Sequence, residues 1–255
     1  MVWVERLGAD VLLYVVGAPQ AQHFQMVFAV AEMAGWLAPP TEAVHVAFGN
    51  VLGADRKMLR SRTGGAVKLV ELLDEAVDRA AAAVAEKNPD LDADVRADVA
   101  RMVGIGSVKY ADLSTDRIKD YVFDWDRMLS FDGNTAPYLQ YAHARICSIF
   151  RRAGVDRAGV RGSEIVLGEP QERELALRLL AYPTVVADTL AAYSPHKLCT
   201  YLFELAQDIT SFYEHCPVLR ADEPVRTSRL GLGDVAARTL EHGLGLLGIA
   251  APPVM

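Results

Sequence analysis

The sequence predicts a mainly α-helical fold, in which a short α/β segment precedes an α-helical bundle. Two apolar runs rich in β-branched residues, 11–16 and 44–48, flank a stretch of helical period, as in a strand–helix–strand unit. From about residue 67 apolar residues recur at helical spacing throughout. The 255 residues can form one large domain or two modest ones, and we expect a boundary near residue 105 between the α/β segment and the bundle.

The α/β segment begins with the run VLLYVV at 11–16, which ends at Gly17 and predicts a strand buried on both faces. Apolar residues over 24–34 follow at helical spacing, and Gly35 can end that helix. The run VHVAF at 44–48 predicts the second strand. A parallel crossover unit of this kind binds ligands at the carboxyl ends of its strands.

The helical half begins with an amphipathic stretch at 69–86, and residues 88–98 read as a polar connection or a helix start. Residues 155–170 predict a loop. The later helices are marked by capping residues and breaks. These are Thr135, Pro137 and Gly154 for one helix, Ser194, Pro195 and the Cys216–Pro217 break for the next, and Ser228 and Gly248 for the last.

Composition restricts the function classes. The net charge is −7, so a nucleic-acid partner must be held by local basic patches. The three cysteines form no C-x-x-C pair, which argues against a zinc knuckle and a disulfide framework. The opening residues lack the apolar run of a signal peptide, and the run at 11–18 is too short to span a bilayer. We therefore expect a cytoplasmic protein without a membrane partner.

The densest chemical signal is the loop GADRKMLRSRTGG at 53–65. It holds four cations, Arg56, Lys57, Arg60 and Arg62, and two glycines close it. Glycine lets a backbone approach phosphate, and Arg and Lys can neutralise charge on a leaving pyrophosphate. The alternative is a solvated basic turn, since short basic loops are common.

The segment Lys57-Met-Leu-Arg-Ser resembles the KMSKS signature of class I aminoacyl-tRNA synthetases, with Arg60 in place of its second lysine. From residue 9 to the end, the chain resembles the C-terminal part of the arginine–tRNA ligase family. The segments that carry this resemblance are 14–25, 45–53, 67–76, 110–114, 123–128, 131–145 with its run GNTAPYLQYAHAR, 201–217 and 246–255. The resemblance implies an incomplete Rossmann-like nucleotide-binding segment over 1–104, then a helical anticodon-binding domain of the DALR type over 105–255.

By this resemblance, Lys57 and Arg60 are catalytic residues on the ATP side, and Gln20 holds the arginine substrate. His23 and His45 lie beside that site. Each has an alternative from the residues alone. Gln20 can cap the following helix, and a histidine among apolar residues is more often a satisfied structural group.

The resemblance also assigns anticodon contacts to Tyr138, Tyr141, Arg145 and Met255. Tyr138 and Tyr141 are three residues apart, which places them on one helix face. Unpaired RNA bases stack on aromatic rings, and Arg145 adds a cation one turn after Tyr141. The alternative for the two tyrosines is a packed aromatic pair in the core.

No His-x-Gly-His arrangement of the HIGH type occurs in the 255 residues. We therefore expect a fragment or split part of an arginine–tRNA ligase that is inactive alone. The alternatives are a non-catalytic tRNA-binding paralogue and an inactive remnant. In the complete enzyme the partners are arginine tRNA, arginine and ATP with Mg²⁺ as substrate. We expect no tightly bound cofactor, no protein-held metal and no DNA partner, and a separate chain supplying the missing half is left open.

Overall fold

The computed structural model describes residues 2–53, 56 and 68–255, and these form a mainly α-helical protein, as the sequence predicts. The chain divides into two compact units. An α/β unit comprises Met1–Leu59 and Thr115–Phe123, and a helical unit comprises Arg60–Ser114 and Asp124–Met255.

The α/β unit is built on two parallel strands joined by a helix. Strand β1 pairs with β2 from Val11 opposite Glu42 to Gly17 opposite Phe48. This confirms the predicted crossover unit. The elements of its first part are a π-helical turn at Val2–Arg6, β1 (Val11–Gly17), a 3₁₀ turn at Ala18–Gln20, α1 (Ala21–Met33), β2 (Glu42–Phe48) and β3 (Val51–Leu52).

Strand β1 is covered on one face only. Tyr14 packs against Phe24 and Phe28 of α1, with ring centroids 5.2 Å and 5.3 Å away. On the other face Val15 is 65% exposed, and Val11 and Leu13 are nearly half exposed. The prediction of a strand buried on both faces is therefore wrong for the described residues, because α1 packs on a single side of the pair.

Residues 115–123 return to the α/β unit from between two helices. They contain β4 (Tyr121–Val122), which pairs in parallel with β3. Arg117 donates a 2.7 Å hydrogen bond from Nη1 to the carbonyl oxygen of Ala47. Gly49 lies so close to the Lys119 carbonyl that a side chain there would clash with backbone atoms. The sequence pattern did not predict this return.

The helical unit contains the buried core of the described residues. Helices α5 to α8 surround the larger hydrophobic cluster, while Ala80, Val84, Val99 and Val103 of α2 and α3 form a smaller one. The predicted boundary between residues 104 and 105 lies inside α3, and it stays a prediction. The helices are α2 (Leu69–Lys87), α3 (Ala93–Ser114), α4 (Trp125–Met128), α5 (Ala136–Ala153), α6 (Pro170–Ala192), α7 (Pro195–His215) and α8 (Val225–Leu246).

Local signals place most helix ends correctly. The Thr135 side chain accepts a hydrogen bond from the Tyr138 amide at the start of α5, and Gly154 ends that helix with a φ of 66°. Helix α8 is the exception, because it begins three residues before Ser228. The hydroxyl of Ser228 accepts from the Val166 amide and donates to the Val166 carbonyl, so it ties down a loop instead of capping the helix.

Within the described part of the chain, α6 alone is long and apolar enough to cross a membrane, by length and composition. It packs along α7, however, where Arg178 pairs with Asp208 through a 2.8 Å contact and the Tyr201 hydroxyl donates to the Arg178 carbonyl. It is therefore a helix of the bundle. All three cysteines are buried free thiols.

Candidate functional site

A guanidinium group lies between two exposed tyrosine rings on the helical unit. Tyr141 and Arg145 are one turn apart on α5, and the Arg145 Cζ atom is 5.0 Å from the Tyr141 ring centroid. The same atom is 4.5 Å from the ring centroid of Tyr213 on α7. Tyr141 is 39% exposed and Tyr213 is 36% exposed. A cation over an aromatic face is attracted by the ring quadrupole, so the three side chains orient one another.

Two further side chains extend this arrangement. The Phe131 ring meets Tyr141 edge-on at 6.4 Å, and the Lys87 Nζ atom lies 5.2 Å from the Phe131 ring centroid. These contacts join three rings and two cations into one connected series, which we name the aromatic–cation row: Lys87, Phe131, Tyr141, Arg145 and Tyr213. Rings of this kind can stack unpaired bases, and the cations can meet phosphates.

Sequence reasoning selected Tyr141 and Arg145 but not the other members of the row. Lys87, Phe131 and Tyr213 come from distant parts of the chain, so no local spacing connects them. The one signal available was the pair Phe212–Tyr213 on an amphipathic helix. In the structure Phe212 is buried and Tyr213 is 36% exposed.

Tyr138 does not join the row. Its ring packs 5.7 Å from Phe203, and its hydroxyl lies 3.4 Å from Thr210 Oγ1. It is partly buried against the larger hydrophobic cluster. The packed-aromatic alternative describes Tyr138, while Tyr141 three residues later is exposed.

Met255 ends a C-terminal segment that lies against α5 and the α2–α3 pair. Its side chain packs against the smaller hydrophobic cluster, and its carbonyl oxygen accepts a hydrogen bond from Asn88 Nδ2 at 3.3 Å. Side chains hold the main-chain oxygens of the segment at four further points. These contacts are Lys109 to Gly248 at 2.5 Å, Gln140 to Ala250 at 2.8 Å, His143 to Pro252 at 3.0 Å and Arg151 to Pro253 at 2.7 Å.

The environment of His143 favours its neutral form. Burial lowers its pKa, outweighing the carbonyl of Pro252 and the carboxylate of Glu241, which both raise it. Because a carbonyl oxygen can only accept, Nδ1 of His143 carries the proton. The terminal methionine is therefore positioned by its neighbours rather than left as a loose end.

On the α/β unit, Gln20 is exposed and lies at the N-cap position of α1, at the end of the 3₁₀ turn that follows β1. Its side chain makes no capping hydrogen bond, so the capping alternative is not what the structure shows. His23 is exposed beside Phe24. His45 stacks on Phe24 at 4.8 Å, and its Nε2 atom lies 2.9 Å from the Val16 carbonyl oxygen, which is the arrangement of a satisfied structural histidine.

The predicted catalytic residues Lys57 and Arg60 lie outside the described residues. Among the residues that the structure does describe, no group of three or more His, Cys, Asp or Glu side chains could hold a metal ion.

Comparisons with known proteins identify two matched regions along the chain. Residues 3–125 match the family of class I tRNA synthetases (R), catalytic domain, and residues 139–255 match the DALR anticodon binding domain. The arginine–tRNA ligase of Thermobifida fusca is 57% identical over 99% of this chain and 44% of its own length. The enzyme of Klebsiella pneumoniae strain 342 is 47% identical over 96% of this chain and 43% of its own length.

Solved structures show the same relation. The Thermus thermophilus arginyl-tRNA synthetase superposes with a TM-score of 0.83 at 37% identity, over 97% of this chain and 41% of that one. The Plasmodium falciparum enzyme gives a TM-score of 0.85 at 28% identity, over 100% and 43%. The chain thus spans less than half the length of the relatives it matches. On these motifs, domain matches and shared architecture, the chain belongs to the arginyl-tRNA synthetase family and corresponds to the C-terminal part of its members.

Proposed function

We propose that this chain supplies the anticodon-binding part and the KMSKS-like loop of a cytoplasmic arginine–tRNA ligase. An arginine–tRNA ligase activates arginine with ATP and transfers the arginine to the 3′ end of its tRNA. The observation that carries the proposal is Arg145, held between the exposed rings of Tyr141 and Tyr213. It lies in the part of the chain that matches the DALR domain.

The aromatic–cation row suits an RNA with unpaired bases better than a duplex. A protein with a net charge of −7 attracts phosphate only locally, so stacking must contribute much of the affinity. One stacked base contributes about 1–3 kcal/mol. An anticodon loop offers several unpaired bases next to one another, and the row offers three rings and two cations in series.

The α/β unit would contribute to the amino-acid and ATP site. In this proposal Gln20 binds arginine, because it is exposed in the short turn that follows a parallel strand. His23 and His45 line the same region, with His45 orienting the β1 backbone through its contact with Val16. Lys57 and Arg60 stabilise charge on the pyrophosphate of ATP, which the complete enzyme would use with Mg²⁺ as substrate.

Aminoacyl transfer of this kind depends on positioning and electrostatic stabilisation more than on a side-chain nucleophile. A KMSKS-like loop without an adenine and α-phosphate pocket does not provide that positioning. We therefore propose that the remaining half of the site comes from residues that the longer relatives possess, on the same or a separate chain.

The tRNA-binding proposal is tested by titrating fluorescent arginine tRNA with the wild-type chain and with Tyr141→Ala, Tyr213→Ala and Tyr141→Phe. We expect each alanine variant to bind about tenfold more weakly or worse, because a stacking ring is removed. Tyr141→Phe keeps the ring and should bind nearly as well as wild type. A non-cognate tRNA serves as the specificity control.

Two results would contradict the proposal. One is equal affinity for both tRNAs that disappears at moderate salt, since that is the behaviour of nonspecific phosphate contact. The other is early thermal unfolding of Tyr141→Ala, which would mark the ring as part of the core.

A further inference from the structure

Asp234 in α8 is a buried carboxylate that three arginines contact. It is 1% exposed. Arg157 donates from Nε to Oδ1 at 2.9 Å, and Arg238 donates from Nε to Oδ2 at 2.9 Å. The Nε atom of Arg161 lies 3.5 Å from the same Oδ2 atom. Arg161 and Arg238 are therefore neighbours, because they share one oxygen.

The positive charge of this cluster exceeds its negative charge. Glu241 is the second carboxylate nearby, and it lies 3.8 Å from Nη1 of Arg157. Arg157 thus faces two carboxylates, while Arg161 and Arg238 share a single oxygen of Asp234. Both shared arginines are about half exposed, at 54% and 47% of the side chain.

The outer nitrogens of Arg161 and Arg238 can still donate hydrogen bonds to a ligand. Each contacts Asp234 through Nε, so the Nη groups remain at the ends of the side chains. Within the described ranges, no other carboxylate forms an ion pair with Arg161 or Arg238, and no other acceptor takes a hydrogen bond from them. A guanidinium has five N–H donors, and most of them are still available here.

The backbone that carries Arg161 is held against α8. Ser228 of α8 bonds both the amide and the carbonyl of Val166 at 2.8 Å and 3.0 Å. Gly231 approaches Ile165 and the Val160 carbonyl so closely that a methyl group there would meet Ile165 at 3.1 Å. The backbone near Arg161 is thus held against α8 before any ligand binds, which lowers the entropic cost of binding.

We propose that Arg161 and Arg238 bind a phosphate group, with Asp234 as the residue that positions them. Paired guanidinium groups match phosphate oxygens with parallel N–H donors, and a phosphate would balance the excess charge. The pair lies apart from the aromatic–cation row. On α5, His143 and Cys147 face Arg157 and Glu241, and they project roughly opposite to Tyr141 and Arg145.

This site does not depend on the proposed function. The phosphate could belong to an RNA backbone or to a small phosphorylated molecule, and the chemistry of recognition is the same for both. Two probes separate these sources, namely inorganic phosphate and arginine tRNA.

The first experiment titrates the ¹⁵N-labelled chain with inorganic phosphate and follows backbone amides near Arg161 and Arg238 by NMR. We expect saturable shifts at these amides that sodium chloride of equal ionic strength does not produce. The double variant Arg161→Gln/Arg238→Gln should lose them, while Arg157 still pairs with Asp234 and preserves the fold. Arg173→Gln, an exposed arginine on α6, is the matched control and should keep them.

Equal shifts with chloride, or an unchanged response in the double variant, would overturn the proposal. Asp234→Asn should weaken the phosphate response with both arginines still present, if the carboxylate positions them. An unaltered response in that variant would remove Asp234 from the site.

The second experiment measures arginine tRNA affinity against salt for the wild type and the double variant. If the phosphate belongs to RNA, the slope of log affinity against log salt should shrink by about 0.7–0.9 for each RNA phosphate that the double variant no longer binds. If the wild type and the double variant give the same slope, and the wild type still responds to inorganic phosphate, the site belongs to a small phosphorylated molecule. A wild type that binds no tRNA would count against the proposed function and leave the phosphate titration valid.

Discussion

Glu172 shows what a single buried charge requires in this fold. It is 1% exposed at the start of α6, and its Oε1 atom lies 2.6 Å from Nε of Arg229. The other oxygen accepts hydrogen bonds from the amides of Gly168 and Glu169 at 2.7 Å and 2.9 Å. Burial alone would raise the pKa of Glu172, but these donors outweigh it and lower the pKa below the usual 4.5.

This lowered pKa predicts acid sensitivity. The folded protein holds Glu172 ionised, so its stabilisation is present above the unfolded pKa and is lost as the pH falls through the lowered folded value. Glu172→Gln should lower the free energy of unfolding at neutral pH by about 3–5 kcal/mol, because Arg229 stays buried without its partner. Urea unfolding at neutral pH and at about pH 3 measures both effects.

The variant should also lose less stability than wild type between those two pH values. Glu174→Gln, two residues later on the exposed side of α6, is the matched control and should keep the wild-type pH dependence. If Glu172→Gln and wild type lose stability in parallel on acidification, Glu172 does not carry the effect.

At the scale of elements, the approach of α2 to α3 depends on a missing side chain. A Cβ atom at Gly104 would lie 2.6 Å from the Ala76 carbonyl oxygen and 2.7 Å from Val77 Cα. These are backbone atoms, which cannot rotate away as a side chain can. The α2–α3 pair therefore packs at a distance that only glycine permits. Gly245, near the end of α8, has open space where its Cβ would be.

These two glycines give a matched pair of substitutions. Gly104→Ala should destabilise the protein by about 1–3 kcal/mol, because the helices must separate. Gly245→Ala should stabilise it by up to about 1 kcal/mol, since alanine loses less backbone entropy in a helix. Thermal unfolding of both variants beside wild type checks the signs. A Gly104→Ala protein as stable as wild type would mean that α2 moves on α3 without cost.

At the scale of the whole molecule, the two units differ in how much they bury. Every buried residue among those described belongs to the helical unit, and the α/β unit contains only partly or fully exposed residues. The open face of β1, with Val11, Leu13 and Val15, is part of that difference. The helical unit can bury apolar surface by itself, whereas the described part of the α/β unit has two separate sheets of two strands each and a single α-helix, α1.

We therefore expect mild proteolysis to trim roughly the first 65 residues and leave a helical core, because segments with few buried contacts open at low free energy. Mass spectrometry of the fragments over time measures this. The full-length Thermobifida fusca enzyme is the comparison, and its corresponding region should resist longer. Equal resistance of both units of the present chain would show that β1 is covered in solution.

The sequence alone determined the features that rest on neighbours along the chain. Thr135, Gly154 and the Ser194–Pro195 pair mark helix ends through hydrogen bonds and dihedral angles within one turn. Tyr141 and Arg145 share a face because a helix repeats every 3.6 residues. The family could be identified for the same reason, since its motifs are continuous stretches of sequence.

Only the tertiary structure decided which distant residues meet. It placed Tyr213 over Arg145, turned Tyr138 into the core, and brought Arg161 beside Arg238 on Asp234. In the tertiary structure, residues 115–123 also belong to the α/β unit, and one face of β1 is exposed. Helical period and capping act over a few residues, whereas these contacts follow from how whole elements pack to bury apolar surface and pair buried charges.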